Sequence, residues 1–452
     1  MGIPTVMVTR EGFSKVVTNT FAGKNFPAEA AQVTYPVDMF VPASDLTPIE
    51  EKMEELIAGL TSWEPHMKEG GILPPLPLMI EGKDYEEAFF NTHRIFLKNM
   101  WTDGLPIIPP TKERVRWILT GTDLSSDHII TRMLPRGGIV TVEVIAVNLA
   151  MAGGRPEYFP ILIAALEAMD NPGLKHHRMN ATTCSVYPVV VVNGPAAAQV
   201  RLNSGYGCLG PDPLHPAGAA IGRAMRLLIQ GAGGAVPKIG TMAIYGGPAR
   251  FTNIVFAEDE EGLPSTWKTL GVEQGFPPGS NVVTVYAVSS TTNIPGGEVG
   301  DETSALATLN RAAGAIGIPN GNYWDHPYNP DGAAGILLMA RGAAQGLSNE
   351  GWSKEKVKGY LWEHSKVPAS KIGPYFPAWW MPREEIMQDP MPVSMTPSGI
   401  KIIVAGGDQS GHMMWLQSGC CPEKMISTEI KLPKNWDELL KKAETDIGPP
   451  PA

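Results

Sequence analysis

At 452 residues the chain is long enough for two or three domains with a substantial core. Its formal net charge of −10 argues against a nucleic acid or an anionic membrane as a partner, because both attract clustered Lys and Arg. Only 18% of the residues are charged, whereas 49 are glycine and 42 are proline, which predicts long ordered loops and an oligomer with large subunit interfaces. No segment has the apolar length of a membrane span, and the amino terminus lacks the basic region of a signal peptide. We therefore expect a soluble, cytoplasmic protein.

The first 60 residues predict a β-α-β-α unit, with strands at 3–8 and 31–35. Two strands and two helices cannot cover both faces of a parallel sheet. Residues 1–60 are therefore predicted to be half of a doubly wound domain whose other half lies elsewhere. Residues 61–82, with paired glycines and clustered prolines, are predicted to be an extended linker.

Residues 83–452 predict a larger Gly/Pro-rich α/β body, because strands and helices are interspersed along it. A subdivision is possible near residues 270–300, and the sequence contains no convincing internal repeat. The predicted strands are 253–257, 282–288, 400–405 and 426–432. The predicted helices are 85–100, 112–119, 142–151, 157–169, 302–315, 333–344, 353–364 and 436–443.

The centre of this body carries the clearest signal for a ligand site. The apolar run before Asn193 is short, β-branched and bounded by Pro and Gly, which predicts a buried strand that ends in a turn at Asn193 and Gly194. Ligands of open α/β sheets sit beyond the carboxyl ends of such strands. The next predicted helix carries Arg223 and Arg226 behind a glycine-rich loop, an arrangement that can hold a carboxylate or phosphate. The expected substrate-binding residues are Thr183, Asn193, Gly194 and Arg223. The alternative is a structural strand and turn with two solvated arginines.

Four cysteines are too few for a disulfide scaffold, and none has the spacing of a zinc ribbon. Cys420 and Cys421 follow His412 in a predicted loop, and a neighbouring imidazole can lower the pKa of a thiol enough for nucleophilic chemistry. Cys184 precedes the buried strand and is a second catalytic candidate. The alternative for each cysteine is a small apolar side chain that packs in the core.

An acidic run begins at Glu258, directly after a predicted strand. A carboxylate there can move protons or bind a hard metal ion, although most acidic runs are solvated loops. Glu258 is therefore a candidate general acid or base. His215 and Cys208, with Glu258, could form a zinc or iron site, although no spacing requires it.

Several short motifs lie between residues 85 and 265, and one more precedes them at residues 2–6. They include Leu105-Pro106, Ala181-Thr182-Thr183, Val192-Asn193-Gly194-Pro195 and Ile221-Gly222-Arg223-Ala224. Together they resemble the UGSC-motif family, which is named for a selenocysteine/cysteine-Gly-Ser-Cys signature. The body resembles the large partner protein of that family, and residues 1–60 resemble the downstream half of its small domain. The resemblance implies a second, small polypeptide that carries the Cys/Sec-Gly-Ser-Cys motif, and it implies thiol or selenol chemistry.

Three functions follow as hypotheses. The first is a subunit of a thiol- or selenol-dependent enzyme that acts on a small anionic organic substrate, by reductive C–X cleavage or lyase chemistry. The second is a metal-dependent hydratase or lyase with Cys, His and Glu ligands. The third is a non-catalytic scaffold for a small thiol-bearing partner.

Overall fold

The computed structural model describes residues 5–23, 31–41, 43–63, 78–319, 332–372, 388–419 and 424–448. Helices and strands alternate through these ranges and the largest sheet is mixed, which confirms the α/β class. None of the helices in these ranges is long and apolar enough to cross a membrane.

The amino-terminal unit contains a two-stranded parallel sheet. Strand β1 (Met7–Arg10) pairs with β2 (Gln32–Tyr35), and helix α1 (Ser14–Gly23) connects them. Helices α2 (Thr47–Glu51) and α3 (Met53–Thr61) follow, so the predicted β-α-β-α order is confirmed, although β1 begins later in the chain than predicted. No third strand joins this sheet within the described residues, and the doubly wound origin stays a prediction.

This unit leaves much of its apolar surface uncovered. The large apolar side chains that it exposes are Val8, Val37, Phe40, Val41, Leu46, Met53, Ile57, Leu60 and Trp63. Two strands alone rarely form a stable sheet, and parallel sheets normally have both faces covered.

The body begins with helices and a hairpin that precede the central sheet. These elements are α4 (Tyr85–Lys98), α5 (Lys112–Leu119), β3 (Ile129–Met133), β4 (Gly138–Thr141), α6 (Val142–Met151), α7 (Phe159–Asp170) and α8 (His176–Ala181). Side-chain caps at Asp84, Thr111 and Thr141 fix where α4, α5 and α6 begin, because each side chain accepts a hydrogen bond from a backbone N–H of the first turn.

The central sheet and its helices fill the rest of the body. They are β5 (Tyr187–Asn193), α9 (Pro195–Gln199), α10 (Ala217–Gly231), β6 (Ile254–Ala257), α11 (Leu270–Glu273), β7 (Val282–Ile294), α12 (Glu302–Ile316), β8 (Gly335–Met339), α13 (Arg341–Asn349), α14 (Lys354–His364), α15 (Ala369–Ile372), β9 (Ile400–Val404), β10 (Met413–Ser418), β11 (Ile426–Glu429) and α16 (Trp436–Ile447). The sheet order is β6-β5-β7-β10-β8-β9, and β11 pairs with β7 next to β10.

The sheet is built from two halves with the same topology. In the first half (residues 187–294), β5 is parallel to β6 and antiparallel to β7. In the second half (residues 335–418), β8 is parallel to β9 and antiparallel to β10. The halves join where β7 and β10 pair in antiparallel fashion, as expected for a two-fold relation. The sequence shows no convincing repeat, so the repetition is one of topology rather than of residues.

The two free edges of the sheet meet at the carboxyl ends of β6 and β9. The backbone N–H of Asp259 donates to the carbonyl of Val404 at 2.8 Å, and the Asp259 carboxylate accepts two hydrogen bonds from Arg341, at 2.8 and 2.9 Å. Side chains from all six strands then form one cluster inside the curved sheet. The other face of the first half packs against α6, α7 and α10, and that of the second half against α12, α13 and α14.

One predicted helix is wrong. Residues 333–344 contain strand β8 and the start of α13, rather than a single helix. Ala, Leu and Met favour helices by intrinsic propensity, but residues 335–339 are fully buried between β10 and β9, and tertiary packing overrides that preference.

Candidate functional site

A small cavity lies at the amino end of β5. One side is formed by α8 and the start of β5, another by α10, and the third by the residues just before β6. It has room for about one water molecule. Its polar lining consists of His176, Asn180, Tyr187, Arg226, Arg250 and Asn253. The lining therefore contains two arginines and no acidic residue.

Arg250 is buried with only neutral hydrogen-bond partners. Its side chain is 8% exposed. Nε donates to the carbonyl of Val186 at 2.9 Å, Nη1 to Thr241 Oγ1 at 3.0 Å, and Nη2 to the carbonyl of Met179 at 2.8 Å. Arg250 thus holds the residue 241–250 segment against the start of β5, and no carboxylate of the described residues pairs with its buried positive charge.

Arg226 brings a second positive charge to the same cavity from α10. Its Nη2 donates to Gln230 Oε1 at 3.1 Å. One helical turn earlier lies Gly222, where any Cβ would overlap the carbonyl oxygen of Thr252. The absence of a side chain at Gly222 therefore lets α10 approach the chain before β6 and sets the position of Arg226.

The buried position of the two arginines disfavours their positive charges. Burial lowers the pKa of Arg226, an effect that the charge of Asp103 opposes. Burial, and then the neighbouring charge of Arg226, lower the pKa of Arg250 to about 10. Buried charges are costly unless an opposite charge accompanies them. The arrangement is therefore suited to a small anion between Arg226 and Arg250.

Arg223, the arginine predicted to bind substrate, is committed to a different contact. Its Nε and Nη2 donate to the carboxylate of Asp103 at 3.0 and 3.1 Å, and Nη2 also donates to the carbonyl of Pro106 at 2.8 Å. Because Asp103 already supplies its counter-charge, Arg223 serves to tie α10 to the segment between α4 and α5.

Asn193 and Gly194 lie at the carboxyl end of β5, the end opposite the cavity. Asn193 Nδ2 donates to Glu258 Oε2 at 2.7 Å and to Glu260 Oε1 at 2.8 Å, and its Oδ1 accepts from the backbone of Gly271. The N–H of Gly194 donates to Glu260 Oε1 at 2.9 Å. The structure therefore does not bring Asn193 and Gly194 together with Arg223, and the donors of both residues are occupied within the protein.

Thr183 and Cys184 lie between α8 and β5, close in sequence to the cavity residues. The carbonyl of Thr183 accepts a hydrogen bond from the N–H of Ile244, so the 241–250 segment runs directly beside it. Cys184 is half-buried, and its N–H donates to Thr182 Oγ1. Among the described cysteines, Cys184 is the one nearest in sequence to the two arginines' cavity.

Glu258 is fully buried at the carboxyl end of β6. Its Oε2 accepts hydrogen bonds from Asn193 and from the N–H of Leu270, the latter at 2.6 Å. Its Oε1 lies 4.0 Å from Lys354 Nζ and has no hydrogen-bond partner among the described residues. Burial raises the pKa of Glu258, and the charge of Lys354 opposes that rise. A raised pKa suits a group that carries a proton, so Glu258 stays a candidate acid or base.

The predicted metal ligands do not form a cluster. Cys208 lies in the cluster inside the sheet, where burial raises the pKa of its thiol to about 12. His215 Nδ1 is hydrogen-bonded to Asp212, and Glu258 contacts Asn193, Leu270 and Lys354. No group of three or more His, Cys, Asp and Glu side chains that could hold a metal ion occurs in the described ranges.

His412 is exposed, and its Nε2 lies 2.8 Å from Asn293 Oδ1 on β7. Cys420 and Cys421 lie outside the described residues, so their predicted relation to His412 stays a prediction. Arg250, His176 and Asn253 were not among the predicted site residues. The sequence offered one partial signal, the second arginine of α10, but nothing in it indicated that Arg226 and Arg250 would share a cavity.

Comparison with protein-family models, with curated proteins and with solved structures found no match to this chain. The functional argument therefore rests on the geometry of the site.

Proposed function

We propose that this chain is the substrate-binding subunit of an enzyme that acts on a small anionic organic molecule. The observation that carries the proposal is the pair of arginines, Arg226 and Arg250, at a cavity whose lining has no acidic residue. The cavity holds about one water molecule as it stands, so an anionic group that supplies the missing counter-charge would displace that water and widen the space between the two side chains. Their guanidinium groups still have N–H groups that make no hydrogen bond to the described part of the protein, and these can form charge-assisted bonds to a carboxylate.

The reaction that we propose is thiol- or selenol-dependent, either reductive cleavage of a C–X bond or lyase chemistry. With the anionic group fixed by the arginines, the remainder of a small substrate would extend from the cavity towards the segment that carries Cys184. His176, which lines the cavity, would exchange a proton with the bound molecule. The reacting thiol or selenol would come from Cys184 or from the small partner subunit.

The partner proposal rests on the amino-terminal unit. Its two-stranded parallel sheet and its row of exposed apolar side chains are what an incomplete α/β domain would show. We propose that a small thiol-bearing subunit adds strands to this sheet. We propose a cytoplasmic location for the complex, because four cysteines are too few for the disulfide scaffold of a secreted protein.

Anion binding is tested with two variants of the same helix. Arg226→Met removes one arginine of the cavity, whereas Arg223→Met removes an arginine of equal size that pairs with Asp103. Thermal unfolding is followed with increasing concentrations of acetate, 2-chloroacetate and phosphate. A ligand at a hundred times its Kd stabilises the native state by about 2.7 kcal/mol. We expect wild type and Arg223→Met to gain stability, and Arg226→Met to gain little.

Equal gains in Arg223→Met and Arg226→Met would refute binding at this cavity. The partner is tested separately by native mass spectrometry of the complex purified from its own source. A small second chain with a Cys- or Sec-Gly-Ser-Cys motif is expected, and a homo-oligomer without such a chain would refute the split enzyme.

A further inference from the structure

The cavity at Arg226 and Arg250 also has an apolar side. The lining residues that complete it are Met179, Val186, Pro188 and Ile229, and all four are buried. Ile229 follows Arg226 by three positions on α10, so the two side chains are neighbours on one face of the helix. A group held by the arginines therefore meets an apolar wall beside the positive charges.

A methionine in this wall gives the cavity room to adapt. Met179 has an unbranched, flexible side chain, a type that fills irregular space and repacks easily. Arg250 Nη2 binds the backbone carbonyl of Met179 rather than its side chain. The side chain of Met179 can therefore turn aside while this hydrogen bond stays in place. In this way a cavity that holds about one water molecule can accept a larger apolar group.

The segment of residues 241–250 runs beside the cavity and carries exposed apolar residues. Thr241 Oγ1 accepts a hydrogen bond from Arg250 Nη1 at 3.0 Å, so the segment begins at the cavity. Ile244 follows three positions later, which places its Cα at most about 11 Å from that of Thr241. Ile244 is 67% exposed and Tyr245 is 92% exposed. Apolar surface thus continues from the cavity wall to the outside of this segment.

We propose that the ligand of the two arginines is a carboxylate with an apolar body, such as a straight-chain or aryl-substituted monocarboxylate. Its carboxylate lies between Arg226 and Arg250, and its first carbons lie against the buried apolar wall. A longer or aromatic end reaches Ile244 and Tyr245. A second carboxylate on the body would be buried against the apolar wall without a counter-charge. This inference rests on the proposed anion site and narrows its ligand from any small anion to an amphipathic one.

The first test compares ligands of increasing apolar length on the full chain. Isothermal titration calorimetry gives the Kd values of acetate, propionate and butyrate. Succinate is the control, because it has the length of butyrate but a charged far end. Each buried methylene strengthens binding about fourfold, so butyrate should bind roughly 15-fold more tightly than acetate, and more tightly than succinate. Butyrate no tighter than acetate, or succinate as tight as butyrate, would overturn the proposal.

Surface variants locate the far end of a longer ligand, 4-phenylbutyrate. Ile244→Ser and Tyr245→Ser change exposed side chains, and Leu214→Ser is the matched control, because Leu214 is 61% exposed in the loop before α10. We expect both variants to weaken 4-phenylbutyrate binding by about fourfold, the equivalent of one buried methylene, and to leave acetate binding unchanged. Leu214→Ser should affect neither ligand. Equal 4-phenylbutyrate affinities in wild type, Ile244→Ser and Tyr245→Ser would overturn the proposed path.

Arg226→Met separates the apolar body from the anion site itself. If Arg226→Met loses carboxylate binding but wild type binds acetate and butyrate equally, the anion site stands and only the apolar body is refuted. If Arg226→Met binds every carboxylate as tightly as wild type does, the anion site is refuted, and this inference with it. We expect Arg226→Met to lose both ligands and wild type to prefer butyrate.

Discussion

Replacement of Gly222 by alanine tests the packing that positions the anion site. A Cβ at this position would overlap the carbonyl oxygen of Thr252, far inside the 3.0 Å limit of real contacts, and that oxygen belongs to backbone that cannot rotate away. Helix α10 would have to withdraw by about 1 Å, which in a well-packed interior costs about 1–3 kcal/mol. The same shift would weaken the 2.9 Å hydrogen bond from Asn253 Nδ2 to the carbonyl of Gly222, worth about 1 kcal/mol.

Alanine favours a helix over glycine by roughly 0.5–1 kcal/mol, so the net loss expected for Gly222→Ala is about 1–3.5 kcal/mol. Gly231, the last residue of the same helix, is the matched control, because a Cβ there would have no heavy atom within 4 Å. Urea unfolding followed by circular dichroism should give a lower midpoint for Gly222→Ala and an unchanged or higher one for Gly231→Ala. If Gly222→Ala is as stable as Gly231→Ala, the close approach of α10 to Thr252 is wrong.

Three further predictions concern other parts of the fold. Burial raises the pKa of the Cys208 thiol from 9.0 to about 12, so ionisation of this thiol favours the unfolded chain. The contribution of the buried thiol to stability is complete below pH 9 and is lost as the pH rises to about 12. We expect the free energy of unfolding, measured with urea at each pH, to fall less between pH 9 and about pH 12 in Cys208→Ala than in wild type. An equal fall in both proteins would contradict the burial of the thiol. Asp259→Asn should lower the free energy of unfolding by about 1 kcal/mol, because its ion-pair partner Arg341 is 41% exposed. A double-mutant cycle with Arg341→Gln should give a coupling energy that high salt reduces. A coupling energy of zero would contradict the ion pair. Burial raises the pKa of Tyr158 and of Tyr187 to about 12. Tyr158→Phe and Tyr187→Phe should therefore leave the phenolate absorbance of the folded protein unchanged up to about pH 11. A lower phenolate absorbance in either variant would show that the replaced ring is exposed.

The strands that the sequence predicted well are those rich in β-branched residues. The valine run of β5, the start of β7 and the isoleucines of β9 are recognisable without neighbours, because such residues fit a pleated surface. Strands β8 and β10 are mostly Leu, Met, Gln, Gly and Ser, with one Ile and one Trp between them, so their strand signal is weak. They form strands because they pair with each other at the centre of the sheet, and this pairing joins residues that are far apart in the sequence.

The site was harder to predict for a related reason. The sequence indicated an anion near α10, but it favoured Arg223, which the fold pairs with Asp103. Asp103 lies far away in the chain, so no local pattern reveals which arginine already has a counter-charge. Arg250 follows a glycine-rich loop with no motif around it. Its burial beside Arg226 depends on the packing of α10 against the residues before β6.

The antiparallel join between β7 and β10 has a consequence for synthesis. A ribosome completes the first half at Ile294 but reaches β10, the first of the two strands that cover the remaining edge of β7, only at Met413. At about 5–20 residues per second, that edge stays open for roughly 6–24 s. Two nascent chains on one messenger at this stage carry the same unsatisfied edge, and the β10 of either chain fits the β7 of the other. An exchange of second halves between two such chains would cover both edges.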